Sequence, residues 1–586
     1  MFLLKFIFYS IYSLGVVIFS YYVSLSYLYT SHKDWFYNDI KNNSVYDYII
    51  VGAGSAGSTL ATRLSNAGAN TLLIEAGGSD VPFFNIPIIA PMLINTPYDW
   101  QYLTVPQEKA CKALINNQSA WSAGKILGGS SRLNYMIHSE GHPDDYKSWF
   151  PDFEEMLMKS SELLQVDKPK WKSIVSDAIL KGLEELTLKN INSKMNTKFK
   201  RVQLTMKNGE RWSVDRAMKQ KSNNKLTVIT NSFVTKILFN LNTAYGVNYI
   251  RHDETLKAFA EKGVILSAGT IGSSKLLLLS GIGPKDHLEE MKIKNIVNLP
   301  VGQNLKDHII TGFDLINLDN NIGMSIADAL NPSSMFDYFK SGQGPWTLAG
   351  VEIIGTFHSK LNNLSTPDLQ FMIFPVGLSQ DNGVLLRKNI RISKEVFDEY
   401  FAPLSYGSSI TIAPVLLHPK SSGEIKLKSN NPFDLPIVDP KYLSHEEDAL
   451  TLIEGIQIIK EIIKTESMQK VGAKLYEKHF PGCEMIKFDT KEYWECYLQY
   501  LSLTTYHPVG TCKIGEVVDF KFRVKGTQNL YVVDASIFPE LPSGNTHIPV
   551  VVAAEKAAML IIESFKKHKN SLNKCFKKNI FQNTEF

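Results

Sequence analysis

Buried-strand runs at both ends of the chain, a glycine loop between the first run and a helix, and a long middle of different character predict a two-domain α/β protein. The expected architecture is a Rossmann-like nucleotide-binding domain into which an α+β substrate domain, built on an antiparallel sheet, is inserted. "YDYIIVGAG" (46–54) is continuously apolar and closes on glycine, as a strand covered on both faces does. "SAGSTLATRLSNAG" (55–68) changes to helical spacing, and "NTLLIEAGG" (70–78) reads as a second buried strand. "EKGVILSAG" (261–269) repeats the strand pattern, and "TIGSSKLLLLSGIG" (270–283) follows as a short helix stopped at Gly281. "LYVVDASIFP" (530–539) is a third such strand, and "PVVVAAEKAAMLIIESFKK" (549–567) a final buried helix. Residues 311–500 mix alternating segments such as "SSGEIKLKS" (421–429) with helical ones such as "EEDALTLIEGIQIIKEIIKT" (446–465), which suits an antiparallel sheet backed by helices.

At 586 residues, 44% hydrophobic and 20% charged, the chain can bury two large cores and is no small disulfide scaffold. A net charge of +4 over that length gives no reason to expect a nucleic-acid partner. The basic stretch "FKKHKNSLNKCFKK" (565–578) reads as part of a solvated tail, 566–586. Five cysteines show no C-x-x-C pairing, so neither a zinc ribbon nor a dithiol redox motif is expected, and no metal site is. Residues 1–30 carry one lysine before a long uncharged run, which reads as a signal peptide or an uncleaved membrane anchor. Either sends the body of the protein into the secretory pathway, secreted or anchored there, and N-x-S sequons at Asn42, Asn117 and Asn363 agree with that route. Residues 31–44 are polar and read as a linker.

Gly52, Gly54 and Gly57 stand at G-x-G-x-x-G spacing directly after a strand and directly before a helix. The first permits the tight turn, the second lets backbone approach a pyrophosphate, and the third allows close helix packing, while the helix N-terminus faces the phosphate charge. Glu75 ends the second strand, where a carboxylate accepts hydrogen bonds from both ribose hydroxyls and repels a 2′-phosphate, so NADP is disfavoured. NAD and FAD stay equally open on these residues.

Four further stretches are similar to the glucose-methanol-choline (GMC) family of FAD oxidoreductases, with the closest look to the insect-type glucose dehydrogenases. They are "SAGKILGGSSRLNYMI" (122–137), "GTIGSSKLLLLSGIG" (269–283), "LPVGQNLKDH" (299–308), and "TYHPVGTCKIG" with "LYVVDASIFPELPSGNTHIPVVVAAEKAA" (505–515, 530–558). The resemblance runs from about 45 to 565 and implies the GMC fold with FAD as cofactor. It places Gly52, Ala53, Gly54, Ser55, Ala56 and Gly57 at the pyrophosphate and Glu75 with Ala76 at the adenosine ribose. Gly129, Ser130 and Asn134, with Tyr135, Met136 and Ile137, belong to the flavin side, and the backbone of Val234 meets the adenine. Asp534 and Ala535 line the pyrophosphate and ribityl chain, and Thr546 and Ile548 the pyrimidine edge. Leu133 stands where some members carry the histidine that tethers FAD, so a non-covalent flavin is expected.

Oxidising an alcohol by hydride transfer requires a base for the hydroxyl proton, and histidine meets that need without a large pKa shift. The resemblance assigns the base to His507 in "YHPVG" and its partner to His547 in "SGNTHIPV". His308 is expected to tie strands together and Cys512 to be a small packed residue. The implied activity is oxidation of an alcohol, sugar or sterol-like CH–OH donor with a quinone or dioxygen as electron acceptor. A cyanohydrin-cleaving lyase and a catalytically degenerate secreted flavoprotein remain as alternatives.

The pattern breaks at Arg132, a guanidinium near the expected flavin that either binds an anionic substrate or points outward, and at His138. It breaks more widely between Asn134 and Trp212, where the segment expected to cover the flavin is short. The expected organisation is a leader (1–30), a linker (31–44), FAD-binding parts at 45–148, 225–310 and 501–565, a shortened lid at 149–224, a substrate domain at 311–500 and the basic tail.

Overall fold

The computed structural model describes residues 41–79, 81–188 and 199–582, together with 15, 17–19, 21 and 22. Most of the leader and of the linker therefore lies outside the described residues. No helix among the described residues is long and apolar enough to cross a membrane.

Two sheets organise the chain. The first contains β1 (Ser44–Val51), which runs through a glycine turn into helix α1 (Ser55–Asn66) and returns in β2 (Thr71–Ile74). It continues with β3 (Leu226–Ile229), β4 (Phe233–Asn240), β5 (Thr243–Arg251) and β6 (Glu254–Leu266), which leads into helix α2 (Gly269–Leu279). Near the C-terminus β7 (Leu530–Val532) joins, and helix α3 (His547–Gln582) follows. The strand order is β4-β5-β6-β1-β2-β3, with β7 paired to β6. β6-β1-β2-β3 and β6-β7 are parallel, whereas β4-β5-β6 is an antiparallel meander. β2 is buried at every residue and β1 over its last four. The covering layers include α1, whose Leu60, Ala61 and Leu64 are fully buried, and α3, whose Val551, Ala554 and Ala557 are.

The basic stretch at 565–578 continues α3 as helix, because nothing breaks its helical spacing before Gln582. "LYVVDASIFP" forms a strand only over Leu530–Val532; Asp534 then turns the chain by accepting from Ser536 N, 2.9 Å.

The second sheet is antiparallel throughout, with its longest strand, Ser408–Leu416, at the centre. Leu369–Phe374 and then Ile353–Phe357 lie on one side of it, and Ile309–Ile310 and Ile316–Leu318 pair with its other edge. Helix Glu446–Ile463 backs this sheet with Leu452, Ile456 and Ile459 buried. At the rim of that core Cys483 and Cys496 form a disulfide, whereas Cys111 and Cys512 are free and buried.

Candidate active site

A cavity of about 1120 Å³ opens between the two sheets and is lined from both. Its first wall begins at the turn after β1. Gly52 takes φ +95°, and a Cβ there would meet the Ser267 carbonyl oxygen at 2.5 Å, so this turn admits only glycine. A Cβ on Gly57 would lie 1.9 Å from the Gly52 carbonyl oxygen. Gly54 and Gly129 face one another so closely that a Cβ on Gly129 would meet the Gly54 Cα at 2.8 Å. No side chain caps α1 and its first turn carries no acidic residue, which leaves its first N–H groups without partners where Gly54, Ser55 and Ala56 line the cavity.

Two carboxylates fix this wall from behind. Glu75 accepts from Ala53 N through Oε2 and from Gly77 N through Oε1, each at 2.8 Å, and burial pushes its pKa up to about 7. Each oxygen keeps a further lone pair for a ligand hydroxyl. Asp534 holds the N-terminus of α2 by accepting from Gly269 N at 3.0 Å and Ser273 Oγ at 2.5 Å; burial raises its pKa too.

Most of the residues expected at a cofactor line this cavity: Gly52, Gly54, Ser55, Ala56, Glu75, Ala76, Gly129, Ser130, Asn134, Tyr135, Met136, Ile137, Val234, Asp534, Ala535 and Thr546 do. Ala53, Gly57 and Ile548 do not: Ala53 meets Glu75 through its N–H, Gly57 packs on the Gly52 carbonyl, and Ile548 is wholly buried in the core. Asn134 Oδ1 is occupied by Met136 N (3.1 Å) and Arg211 Nη1 (2.8 Å), and Met136 is held at φ +58°, a conformation non-glycine residues rarely adopt. Arg211, which the sequence did not single out, is fully buried; its Nε reaches the Phe84 carbonyl at 3.0 Å, and burial lowers its pKa to about 9.

His507 and His547 line the same cavity. Thr505 Oγ1 donates to the His308 carbonyl at 3.3 Å and lies 2.9 Å from His507 Nδ1, while His308 Nδ1 is 3.0 Å from that same nitrogen. These contacts occupy the Nδ1 side of the ring and leave Nε2 on its other side. Asn545 Nδ2 stands 3.1 Å from that Nε2. Asp307 accepts from His507 N at 2.9 Å and from Thr504 Oγ1 at 2.6 Å. Both ring nitrogens of His547 are buried without a partner.

Burial lowers His507 to about pKa 3 and His547 to about 4, the latter helped by His138 and Arg211. The expectation of an imidazole with an unshifted pKa is thus corrected: enclosure removes the water that would solvate the cation. His308 does tie strands, and it does more. Its backbone does join the strands, since Thr505 N donates to its carbonyl at 3.1 Å, but its ring is the neighbour of His507. Sequence reading missed Asn545, which lies inside the "SGNTH" stretch it quoted, and Thr505, two residues before His507.

Arg132 neither binds at the cavity nor points outward. Wholly buried, it pairs with Asp215 through Nη2, and its Nη1 donates to Asn85 Oδ1 at 2.8 Å. His138 lies off the cavity, with Nε2 3.3 Å from Glu140 Oε1. None of the described residues of 149–224 lines the cavity; Trp212 and helix Val214–Lys221 pack into the core of the first sheet instead, and the covering segments come from 324–351 and 376–390.

A dinucleotide fits these residues. The wall offers partnerless helix N–H groups, a glycine backbone with no room for side chains, and buried polar atoms without partners at Ser267 Oγ, Asn545 Oδ1 and both nitrogens of His547. Among the described residues no group of three or more His, Cys, Asp or Glu gathers to hold a metal ion.

Family profiles described as GMC oxidoreductase match residues 46–310 and 419–554. A Drosophila melanogaster glucose dehydrogenase [FAD, quinone] is 33% identical, with 88% of this chain and 86% of that protein covered. An ecdysone oxidase of Spodoptera littoralis is 32% identical, with 90% and 93% covered. Among solved structures, a formate oxidase of Aspergillus oryzae superimposes with a TM-score of 0.76 over 90% of this chain and 100% of that one, at 22% identity, and so speaks for the fold. The chain belongs to the GMC oxidoreductase family and is an FAD-dependent oxidoreductase acting on CH–OH donors.

Proposed function

We propose that this enzyme oxidises an alcohol with His507 as the base, His547 as the donor to the substrate oxygen and Asn545 beside His507 Nε2. Bound FAD supplies the hydride acceptor. The observation that carries the reading is the placement of His507: Nδ1 lies against Thr505 Oγ1 and His308 Nδ1, and the ring lines the cavity with Nε2 on its other side, 3.1 Å from Asn545 Nδ2. Burial keeps this imidazole in the proton-free form at neutral pH, the form in which a base must start. An N–H on the unpartnered ring of His547 can donate to the developing alkoxide, and the enclosed site strengthens that bond.

In this reading Gly52 to Gly57 and the first turn of α1 hold the pyrophosphate, Glu75 the ribose, and Asn134 to Ile137 the flavin side. The flavin is held without a covalent bond, supported by the apolar Leu133 on the cavity wall. A quinone is the favoured electron acceptor, supported by the name of the Drosophila melanogaster relative. Passage through the secretory pathway is supported by the Cys483–Cys496 disulfide and by the exposure of Asn42, Asn117 and Asn363. The reading as a degenerate flavoprotein rested on a short lid and loses that support, since the described residues of 149–224 do not border the cavity.

The test is anaerobic rapid mixing of the FAD-loaded enzyme with alcohols. His507→Ala should keep FAD and slow its reduction by about 10²- to 10⁴-fold, the range for a lost acid–base group. Reduction at close to the wild-type rate would remove His507 from the role.

A further inference from the structure

The cavity wall contributed by the second sheet is built against polyols, and we infer that the substrate is a monohydric alcohol on an apolar carbon body rather than a sugar. The inference rests on the alcohol-oxidation reading above and names the substrate of that same site. Among the described residues that line the cavity between 310 and 411, Asp381 is the one charged side chain. Backbone engages both its oxygens and leaves one open acceptor site, on Oδ1: Oδ1 accepts from Gly383 N at 2.8 Å, and Oδ2 from Leu385 N at 2.8 Å and Leu386 N at 2.6 Å. The other polar side chains there also make hydrogen bonds within the protein. Asn389 Nδ2 donates to the Pro91 carbonyl at 2.6 Å, and Gln380 Nε2 to the Leu404 carbonyl at 3.0 Å. Thr411 donates to Asp314 at 3.0 Å, Ser325 to Asp328 at 2.7 Å, and the Trp346 indole to the Ala329 carbonyl at 2.7 Å.

What this wall offers a ligand is apolar: Ile310, Phe313, Trp346, Met372 and Phe374. Tyr135 joins them with its ring against Gly350, where a Cβ would lie 3.5 Å from Tyr135 Cδ1. The apolar character continues to the mouth, where Met92, Leu330 and Val384 line the cavity while 51%, 54% and 67% exposed. Apolar side chains gathered at the opening of a single cavity mark a route for an apolar ligand. Of the buried polar atoms without partners in residues that line the cavity, Ser267 Oγ belongs to the first wall, which leaves Asn545 Oδ1 and the nitrogens of His547 for a substrate hydroxyl. A pyranose entering here would leave most of its hydroxyls buried without partners, the arrangement by which a site rejects a ligand.

The experiment uses the FAD-loaded full chain and three readings. Anaerobic reduction is measured for the straight-chain alcohols from 1-butanol to 1-octanol and for D-glucose; binding of 1-octanol to the His507→Gln holoenzyme is measured by calorimetry at several temperatures. We expect kcat/KM to rise about fourfold per added methylene, the increment for burying one CH₂, with D-glucose at least about 10³-fold below 1-octanol. We expect 1-octanol to bind the variant with a negative heat-capacity change, the mark of buried apolar surface. Glucose reducing the cofactor as efficiently as 1-octanol, a flat dependence on chain length, or no binding of 1-octanol to the variant each overturns the substrate class while leaving the role of His507 intact. Wild-type reduction rates in His507→Gln, with the chain-length dependence preserved, overturn the base assignment and support the substrate class.

Discussion

The two walls of the cavity are made of different materials. The first is backbone: Gly52 at φ +95°, the near contact of Gly54 with Gly129, and the open N–H groups of α1. The second is side chains of the antiparallel sheet and its covering segments, whose polar groups are already bonded within the protein. A backbone wall tolerates almost no substitution, because a single added Cβ collides with a carbonyl. A side-chain wall can be resurfaced one residue at a time. The same fold can therefore keep one cofactor while its substrate changes.

That contrast can be broken by experiment. Gly52→Ala adds a left-handed strain to a 2.5 Å approach on Ser267 O, and should weaken FAD retention by at least about 10²-fold, read as flavin remaining after gel filtration. Full occupancy would show that the first wall bends more than its backbone suggests. Arg132→Met leaves Asp215 buried and unpaired, which should cost about 3–5 kcal/mol in denaturant unfolding; a loss under 1 kcal/mol would mean that Asp215 finds another partner.

His308→Ala should slow flavin reduction about tenfold with FAD still bound, because Nδ1 of His507 loses one of its two fixed neighbours. His308→Asn, which restores an acceptor, should recover most of the rate, whereas a purely structural role would not respond to that exchange. In the unmodified enzyme the active form of His507 is the proton-free one, present above its folded pKa of about 3. Reduction rates should thus show no ionisation from His507 between pH 5 and 8 and fall only as the pH approaches that value. A limb near pH 6.5 that disappears in His507→Ala would contradict the enclosure of this ring. The smallest effect is expected on the second wall, where Phe374→Leu should alter the ratio of kcat/KM between two alcohols by only a few-fold while leaving FAD retention unchanged.

The difference between the walls also explains what the sequence could reveal. The β1-α1-β2 unit was readable because a glycine forced by φ or by close approach leaves a fixed spacing, and Gly52, Gly54 and Glu75 all border the cavity. His507 and His547 were readable through the motifs around them. His308 was not, since its Nδ1 meets His507 through folding of segments 199 residues apart, a contact no local pattern encodes. Arg132 looked like a cavity residue because its neighbours in sequence are, yet the short helical turn Gly129–Arg132 rotates it to the opposite side, onto Asp215. The covering segments were misplaced for a related reason: length differences are visible in a sequence, but which stretch of chain lies over a cavity is not. The apolar second wall left no motif at all, because any large hydrophobic residue serves in it.

The bond between Cys483 and Cys496 has a practical corollary. Thirteen residues of chain close on it beside the aromatic packing of Phe480 and Tyr497, and tying such a loop is worth about 3 kcal/mol in chain-entropy terms. In bacterial cytosol glutathione and thioredoxin would keep both thiols reduced, so enzyme harvested there would carry a loosened substrate lobe and a lowered melting temperature. Periplasmic or insect-cell export is the appropriate source of material for every assay described above.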